Sequence, residues 1–244
     1  VGWIQTVEQV PIGYKYTNPR ISHDGKYWYL SVSVEQDQES RKLTTESIGI
    51  DVGIKDLAVC SNGMTFQNIN KTSKVRKIEK RLRRLQRSVS RKYTLNKEGN
   101  RFVKTSNIIK QEKEIRLLHR KLTNIRTNHL HQASSQIVKT KPSAIVMEHL
   151  NIKGMMKNKH LSKAIVQQKL YEFKRQIQYK CEKYGIAFVE ADKWYPSSKT
   201  CSGCGCVKKQ FSLSERTYKC EECLLEIDRD FNASINLSRY KSVS

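Results

Sequence analysis

Long apolar runs are missing from this sequence. None approaches the ~20 residues that a membrane-crossing helix needs, and no signal-peptide pattern opens the chain, so no membrane partner is expected. Internal repeats and low-complexity tracts are missing too, which argues against a repeat array or a biased, disordered tail. Apolar residues make up 37% of the chain, below the usual share of roughly 45–50%. The 244 residues can still bury a core, in one large or two small domains. Acids are scarce relative to bases: 23 Asp and Glu face 46 Lys and Arg, a net charge of +23. Self-repulsion on that scale calls for a polyanionic partner. An anionic membrane surface is the blander candidate, but no basic amphipathic helix brings a bulky aromatic face with it. Nucleic acid is therefore the expected partner. Seven cysteines, four of them in paired spacing, suit metal thiolates in a reducing cytosol better than a disulfide framework. The chain begins at Val1, in mid-pattern, and is expected to lack an N-terminal portion.

Residues 1–46 read as a small β region. Tyr27, Tyr29, Ser31 and Ser33 alternate with Trp28, Leu30, Val32 and Val34, which gives one mixed and one apolar face. Asp24-Gly25 predicts a hairpin turn, with Arg20 to His23 as the partner strand. Trp3, Tyr14, Tyr16, Tyr27 and Trp28 are candidates for stacking on bases, or else core and rim aromatics. Residues 36–46 read as a polar linker. In the next β region Ile48, Ile50 and Val52 face one way, and Gly49, Asp51 and Gly53 the other. A hairpin is predicted around Asn62-Gly63. An Asp amid apolar strand residues is expensive unless it is paired or binds metal, and its flanking glycines leave room for a ligand. The alternative is an Asp that caps a turn at a strand end.

From Lys71 to Arg126, twenty Lys and Arg face four acids, a net of +16 and most of the excess charge. Ile78, Leu82, Leu85 and Val89 recur at helical spacing, as do Ile115, Leu118, Leu122 and Ile125, so two helices joined around residues 96–100 are expected. A solvated face alone leaves one-signed charge unexplained. A basic helix pair tracking a phosphate backbone accounts for it, with Lys74, Lys77, Arg81, Arg84, Arg87, Arg91, Arg116 and Arg120 as the candidate contacts. Ser143 to Met147 reads as a buried strand with Glu148 at its C-terminal end, where ligand sites of α/β sheets collect. Residues 151–163 read as a mobile loop. Ala164 to Tyr184 reads as one amphipathic helix capped by Gly185, and Ile186 to Val189 as a further strand.

Cys201-x2-Cys204 and Cys220-x2-Cys223 lie fifteen residues apart, the spacing of a four-cysteine zinc ribbon. Four thiolates close a tetrahedral, structural site, with the intervening residues expected to form a hairpin that joins the two knuckles. Cys206 competes with Cys204 on paper, but the regular spacing favours Cys204. Cys60 and Cys181 sit on apolar faces and read as core. Asp51, Glu148 and one Asp of the Asp228-Arg229-Asp230 turn each adjoin a regular element. Three acids converging on one sheet repel one another unless divalent cations bind them, and hard oxygen donors suit Mg²⁺ or Mn²⁺. Two such ions about 4 Å apart would serve phosphodiester cleavage. Asp230, opening a helix, is preferred as the third ligand, with Asp228 as the alternative.

Four stretches then resemble a known family: Gly49-Ile-Asp-Val-Gly-Ile-Lys-Asp-Leu-Ala58, Ile145-Val-Met-Glu-His-Leu-Asn151, Tyr195-Pro-Ser-Ser-Lys-Thr-Cys201 and Asp228-Arg-Asp-Phe-Asn-Ala-Ser-Ile-Asn236. They are similar, in order, to motifs of TnpB proteins, the RNA-guided nucleases of bacterial insertion sequences related to type V CRISPR effectors. The resemblance implies an α/β fold: an RNase H-like (RuvC) mixed sheet with a helical insertion and a zinc ribbon, preceded by a small β region that is part of a wedge domain. It implies boundaries at 1–46 (wedge-like), 47–199 (nuclease core, insertion 71–130), 200–227 (zinc ribbon) and 228–244 (last motif and helix). It further implies catalytic Asp51, Glu148 and Asp230, one structural Zn²⁺, catalytic Mg²⁺ or Mn²⁺, and guide RNA and target DNA as partners. The implied location is the bacterial cytoplasm, associated with the nucleoid when bound to DNA. Two things depart from the family pattern: these residues are expected to lack most of the family's N-terminal half, and Leu224 stands where Gly commonly follows the fourth cysteine. The alternatives left open are a truncated copy that binds nucleic acid without guided cleavage, and a transposition-associated accessory protein. For a DNA-strand transposase, no Tyr or Ser nucleophile stands in a convincing constellation.

Overall fold

The computed structural model describes residues 5–9, 13–35, 42–208 and 215–241. An antiparallel hairpin of β1 (Tyr16–His23) and β2 (Trp28–Val34) comes first. Next come β3 (Ser47–Val52), β4 (Asp56–Cys60) and β5 (Thr65–Gln67). A 3₁₀ turn over Ile69–Lys71 leads into α1 (Ser73–Leu95). A two-rung ribbon of β6 (Lys97–Glu98) and β7 (Arg101–Phe102) joins α1 to α2 (Ser106–Lys139). After these come β8 (Ala144–Met147), α3 (Ile152–Met156), α4 (Ser162–Gln168), α5 (Leu170–Tyr184) and β9 (Ala187–Glu190). The chain ends with β10 (Thr217–Lys219), β11 (Glu226–Asp228) and α6 (Arg229–Ser238). Among the described residues no helix is long and apolar enough to cross a membrane.

The central sheet runs β5-β4-β3-β8-β9. β3, β4 and β5 are antiparallel, while β8 and β9 extend the sheet parallel to β3. Alternation sends Ile48, Ile50, Val52, Ile145 and Met147 to one face. There they pack on Leu130, Ala133 and Ile137 of α2 and on Phe173, Ile177 and Cys181 of α5. Phe173 is fully buried, and truncating such a ring typically costs about 3–5 kcal/mol. The opposite face meets α6, through Val146, Ala191 and Leu237.

Gly49 lies directly under α6. A Cβ there would sit 2.0 Å from the Ser234 carbonyl oxygen and 2.3 Å from the Ser238 amide. The expectation that both glycines beside Asp51 leave room for a ligand is therefore corrected at Gly49, where the missing side chain admits a helix backbone. The same close approach brings the α6 N-terminus toward Asp51.

Helix boundaries differ from expectation at three places. Residues 151–163 are not one loop: the Asn151 side chain accepts the Gly154 amide at 2.9 Å and starts α3. Residues 164–184 are not one helix, because Lys169 takes a left-handed backbone (φ 53°) between α4 and α5. Buried Gln168 turns inward to the Gly53 carbonyl at 3.2 Å, and Lys169 Nζ donates to Thr127 at 3.0 Å. Those tertiary contacts override the local helical pattern. Finally, α2 crosses the expected insertion boundary at residue 130. Its first half packs on α1 through Leu118 and Leu122, and its second half packs on the sheet.

Candidate active site and cysteine metal centre

The parallel register pairs Ile50 with Met147. Asp51 and Glu148 are the next residues on each strand, so they stand side by side at about 5 Å strand spacing, both on the α6 face. Glu190 is registered with Met147 and so faces the other way. There it pairs with His149 at 2.7 Å and Lys174 at 2.5 Å.

Asp230 enters from α6. Asp228 is the N-cap of that helix: its Oδ1 accepts the Asp230 amide at 2.9 Å and the Phe231 amide at 3.1 Å, and its other oxygen lies 3.8 Å from Lys55 Nζ. Capping satisfies helix N–H groups that otherwise lack partners. That leaves Asp230, with only 13% of its side chain exposed and Arg229 Nε at 3.3 Å, as the acid turned toward the strand pair. The electrostatics agree. Burial, then Glu148, then Asp230 hold the Asp51 carboxyl well above the ordinary range, against the pull of Arg229. Burial and Asp230 push Glu148 up to about 7, again opposed by Arg229. Three acids thus share one guanidinium, and an arrangement of hard oxygen donors short of positive charge fits divalent cations of the Mg²⁺ type.

The four cysteine sulfurs of Cys201, Cys204, Cys220 and Cys223 all lie within 4.8 Å of one another, the one such group of potential metal ligands among the described residues. Cys201 and Cys223 are 3.5 Å apart, as are Cys204 and Cys220. Tetrahedral zinc with Zn–S near 2.3 Å places sulfurs about 3.8 Å apart, so the cluster can hold such a metal. Cys206 is outside the group. Its carbonyl instead accepts the Cys201 amide at 2.8 Å.

The expected hairpin between the knuckles is not what the described residues contain. Each knuckle is closed by its own short antiparallel pair: Thr200 with Val207, and β10 with β11. Residues 209–214, between them, lie outside the described residues, as does the stacking candidate Trp3. The two knuckles repeat the same turn, with Cys220 N–H bonding the Leu225 carbonyl at 2.8 Å as Cys201 N–H bonds that of Cys206. Both require a positive φ after the second cysteine, met by Gly205 at 79° and by Leu224 at 59°.

Sequence reasoning missed how this centre is joined to α6. Buried Asn232 accepts the Ser202 amide at 2.9 Å and donates to the Thr200 carbonyl at 2.7 Å. Buried Asn236 donates to the Thr200 carbonyl at 2.7 Å and the Ser197 carbonyl at 2.8 Å. The Arg239 guanidinium reaches the Ser202 carbonyl. A signal was available: two Asn four apart share one helix face, and buried amides need partners. The first knuckle is thereby clamped along α6 while β11 of the second runs straight into it, so the cysteine centre fixes where Asp230 stands.

The family model OrfB_IS605, described as "Probable transposase", matches residues 30–159, more than half of the chain. The chain belongs to the TnpB (OrfB_IS605) family. A second model, "Cas12f1-like, TNB domain", matches residues 171–237; α4 and the Lys169 break fall between the two. A protein of Streptomyces pristinaespiralis named "Putative RNA-guided DNA endonuclease" is 32% identical over 93% of this chain and 54% of its own length. The CRISPR-associated endodeoxyribonuclease Cas12f1 of Sulfoacidibacillus thermotolerans is 28% identical over 92% of this chain and 53% of its own. A cryo-EM structure of a Cas12f1–sgRNA–target DNA complex shares the fold, with a TM-score of 0.61 at 23% identity, over 92% of this chain and 46% of that one. This TnpB-family chain thus spans about half the length of the curated relatives it matches.

The basic helices of this TnpB-family chain pack as expected, through Val75, Leu82, Leu118 and Leu122 with Ile78, Leu85, Ile115 and Ile125 around them. Lys74, Lys77, Arg84, Arg87 and Arg91 are exposed along α1. Arg81 is exposed but ion-paired with Glu114. Arg116 lies beneath the β1–β2 turn, its Cβ 3.5 Å from the position a Gly25 Cβ would take. Arg120 is committed to that hairpin: it bonds Asp24 and lies over the Tyr27 ring, 5.0 Å from its centre. The candidate contacts therefore divide into exposed cations, the α1 stripe and Arg116 on α2, and Arg120, which is committed to the hairpin.

Proposed function

We propose that this chain is the nuclease portion of an RNA-guided DNA endonuclease and hydrolyses phosphodiesters at Asp51, Glu148 and Asp230. The observation that carries this reading is that Asp51 and Glu148 stand in register on the α6 face with Asp230 near enough to raise both, opposed by Arg229. A sheet with β3 central, antiparallel β4 and β5, and parallel β8 and β9 supports an RNase H-like core. Bound at the acids, Mg²⁺ or Mn²⁺ would supply activation of the attacking water and charge stabilisation at the leaving oxygen. The protein's part is positional. β3 and β8 hold Asp51 and Glu148 in register, the Asp228 cap orients the first turn of α6, and Arg229 pairs with Asp230. The exposed cations of α1 would hold guide RNA and target DNA by their backbones, without reading sequence. The four cysteines would take one zinc, as a structural group.

The test is cleavage with added Mg²⁺ alongside binding to the same nucleic acid. Asp51→Ala and Glu148→Ala are each expected to abolish product while affinity stays within about threefold, because neither touches the basic stripe. Cleavage equal to the parent in either variant sinks the catalytic assignment. Affinity without Mg²⁺-dependent product in the parent itself would favour a binding module. For the cysteine centre, metal analysis should find one zinc per chain, lost in Cys220→Ser; zinc-free protein with intact folding refutes it.

A further inference from the structure

The loop leaving β9 mounts an indole in the open. Trp194 is 80% exposed, although a ring of that size gains much by burial. Its surroundings are fixed. The Ala191 amide donates to the Met147 carbonyl at 2.8 Å. The Asp192 amide donates to the Tyr240 hydroxyl at 3.2 Å, and the Asp192 carboxylate accepts the Trp194 amide at 2.7 Å. On the other side, the Tyr195 hydroxyl donates to the Asn236 carbonyl at 3.0 Å, and its ring meets Tyr240 edge-on at 4.9 Å. Lys193 Nζ lies 4.7 Å from the centre of the indole. A rigid mount that holds an aromatic face outward, with a cation against it, is the construction of a stacking platform for an anionic, aromatic ligand.

Its position says which ligand. Ala191 is bonded to the residue before Glu148, one strand spacing away, and three more residues reach Trp194. The indole therefore stands within roughly 15 Å of the carboxylates. We infer that Trp194 stacks on an unpaired nucleobase of the strand presented to Asp51, Glu148 and Asp230. The inference rests on the nuclease reading above and adds a subsite to it. A duplex hides its base faces, so the subsite selects single-stranded substrate beside the scissile phosphate, with Lys193 available to the adjoining phosphate.

The chain has three tryptophans. Trp3→Phe with Trp28→Phe leaves Trp194 as the single reporter. Labelled single-stranded oligothymidylate is titrated in without divalent cation, with anisotropy reporting binding and indole emission reporting stacking. At saturation the emission is expected to fall by at least about half, whereas a duplex of equal length binds without quenching. Trp194→Leu should weaken single-strand binding roughly 5- to 100-fold, and Trp194→Tyr should recover most of that loss. Unchanged emission while anisotropy shows saturation, or a Leu variant that binds like the parent, overturns the assignment and leaves the indole to a protein surface. Failure of the nuclease reading registers elsewhere, as cleavage that survives Asp51→Ala.

Discussion

The α6 face of the sheet and the exposed side of α1 are built on opposite electrostatic plans. On the α6 face, negative charge is concentrated. Three acids from distant parts of the chain share one partly enclosed space; burial and Asp230 push both Asp51 and Glu148 toward protonation, and Glu148 adds to the effect on Asp51. Along α1, positive charge is spread over Lys74, Lys77, Arg84, Arg87 and Arg91, all open to solvent. The first plan depends on position, and under the proposed function each of its residues is indispensable. The second depends on number and makes each residue replaceable.

The sharpest way to break this contrast is a pair of single substitutions. Asp51→Ala should lower the cleavage rate by at least about 100-fold, the several kcal/mol that metal-assisted stabilisation supplies. Arg84→Ala should leave the rate within about threefold, since one exposed cation meets one phosphate among many. Comparable losses in both would dissolve the distinction. Next in size is the combined change of Lys74, Lys77, Arg84 and Arg87 to Gln. Affinity should fall on the order of 100-fold at moderate salt, and the slope of log affinity against log salt should flatten by about 0.9 for each phosphate no longer neutralised. A parallel salt plot would remove α1 from the interface.

A stability measurement sharpens the concentrated side. Glu148 has a folded pKa raised to about 7 from 4.5, so the folded state holds a proton that the unfolded chain has released. The contribution of Glu148 to stability should therefore be fullest below pH 4.5 and decline as pH rises toward 7, in buffer without divalent cation. Glu148→Gln should remove that part of the decline. At pH 8 the variant should be more stable than the parent by about 1–3 kcal/mol, and near pH 4 the two should converge. Thermal melts at both pH values decide it, and a variant less stable at pH 8 would show that the acids do not repel. The smallest expected effect concerns the cysteine centre. Leu224 is left-handed at φ 59° and 84% exposed. Leu224→Gly should raise stability by about 1 kcal/mol by removing that strain. No gain would mean that the leucine makes a compensating contact with a partner.

Much of the site was legible before folding because its signals are local. The spacing of Cys201, Cys204, Cys220 and Cys223 implies a metal cluster whatever surrounds it, and the sulfurs do converge. The repeats through Leu82 and Leu118 identify the faces on which α1 and α2 meet. Asp51 and Glu148 stand out as acids joined to apolar strands. Alternation alone sends Asp51 to the side opposite Ile50, a core residue.

Other features had no local signature, since they depend on residues far apart in sequence. That Asp228, and not Asp230, caps α6 depends on where the helix starts. Gly49 is small because a helix from the far end of the chain lies against it, and Arg120 is diverted by an aspartate ninety-six positions earlier. The helix through Lys169 breaks because Gln168 and Lys169 satisfy polar groups on other elements. Asn232 and Asn236 have a purpose only once the first knuckle supplies the backbone groups they bond. Periodicity and spacing thus determined the elements and the ligand types. Packing decided which acid caps α6, which one pairs with Arg229 and what holds the helix there, because an unpaired polar group becomes costly only once the fold has buried it.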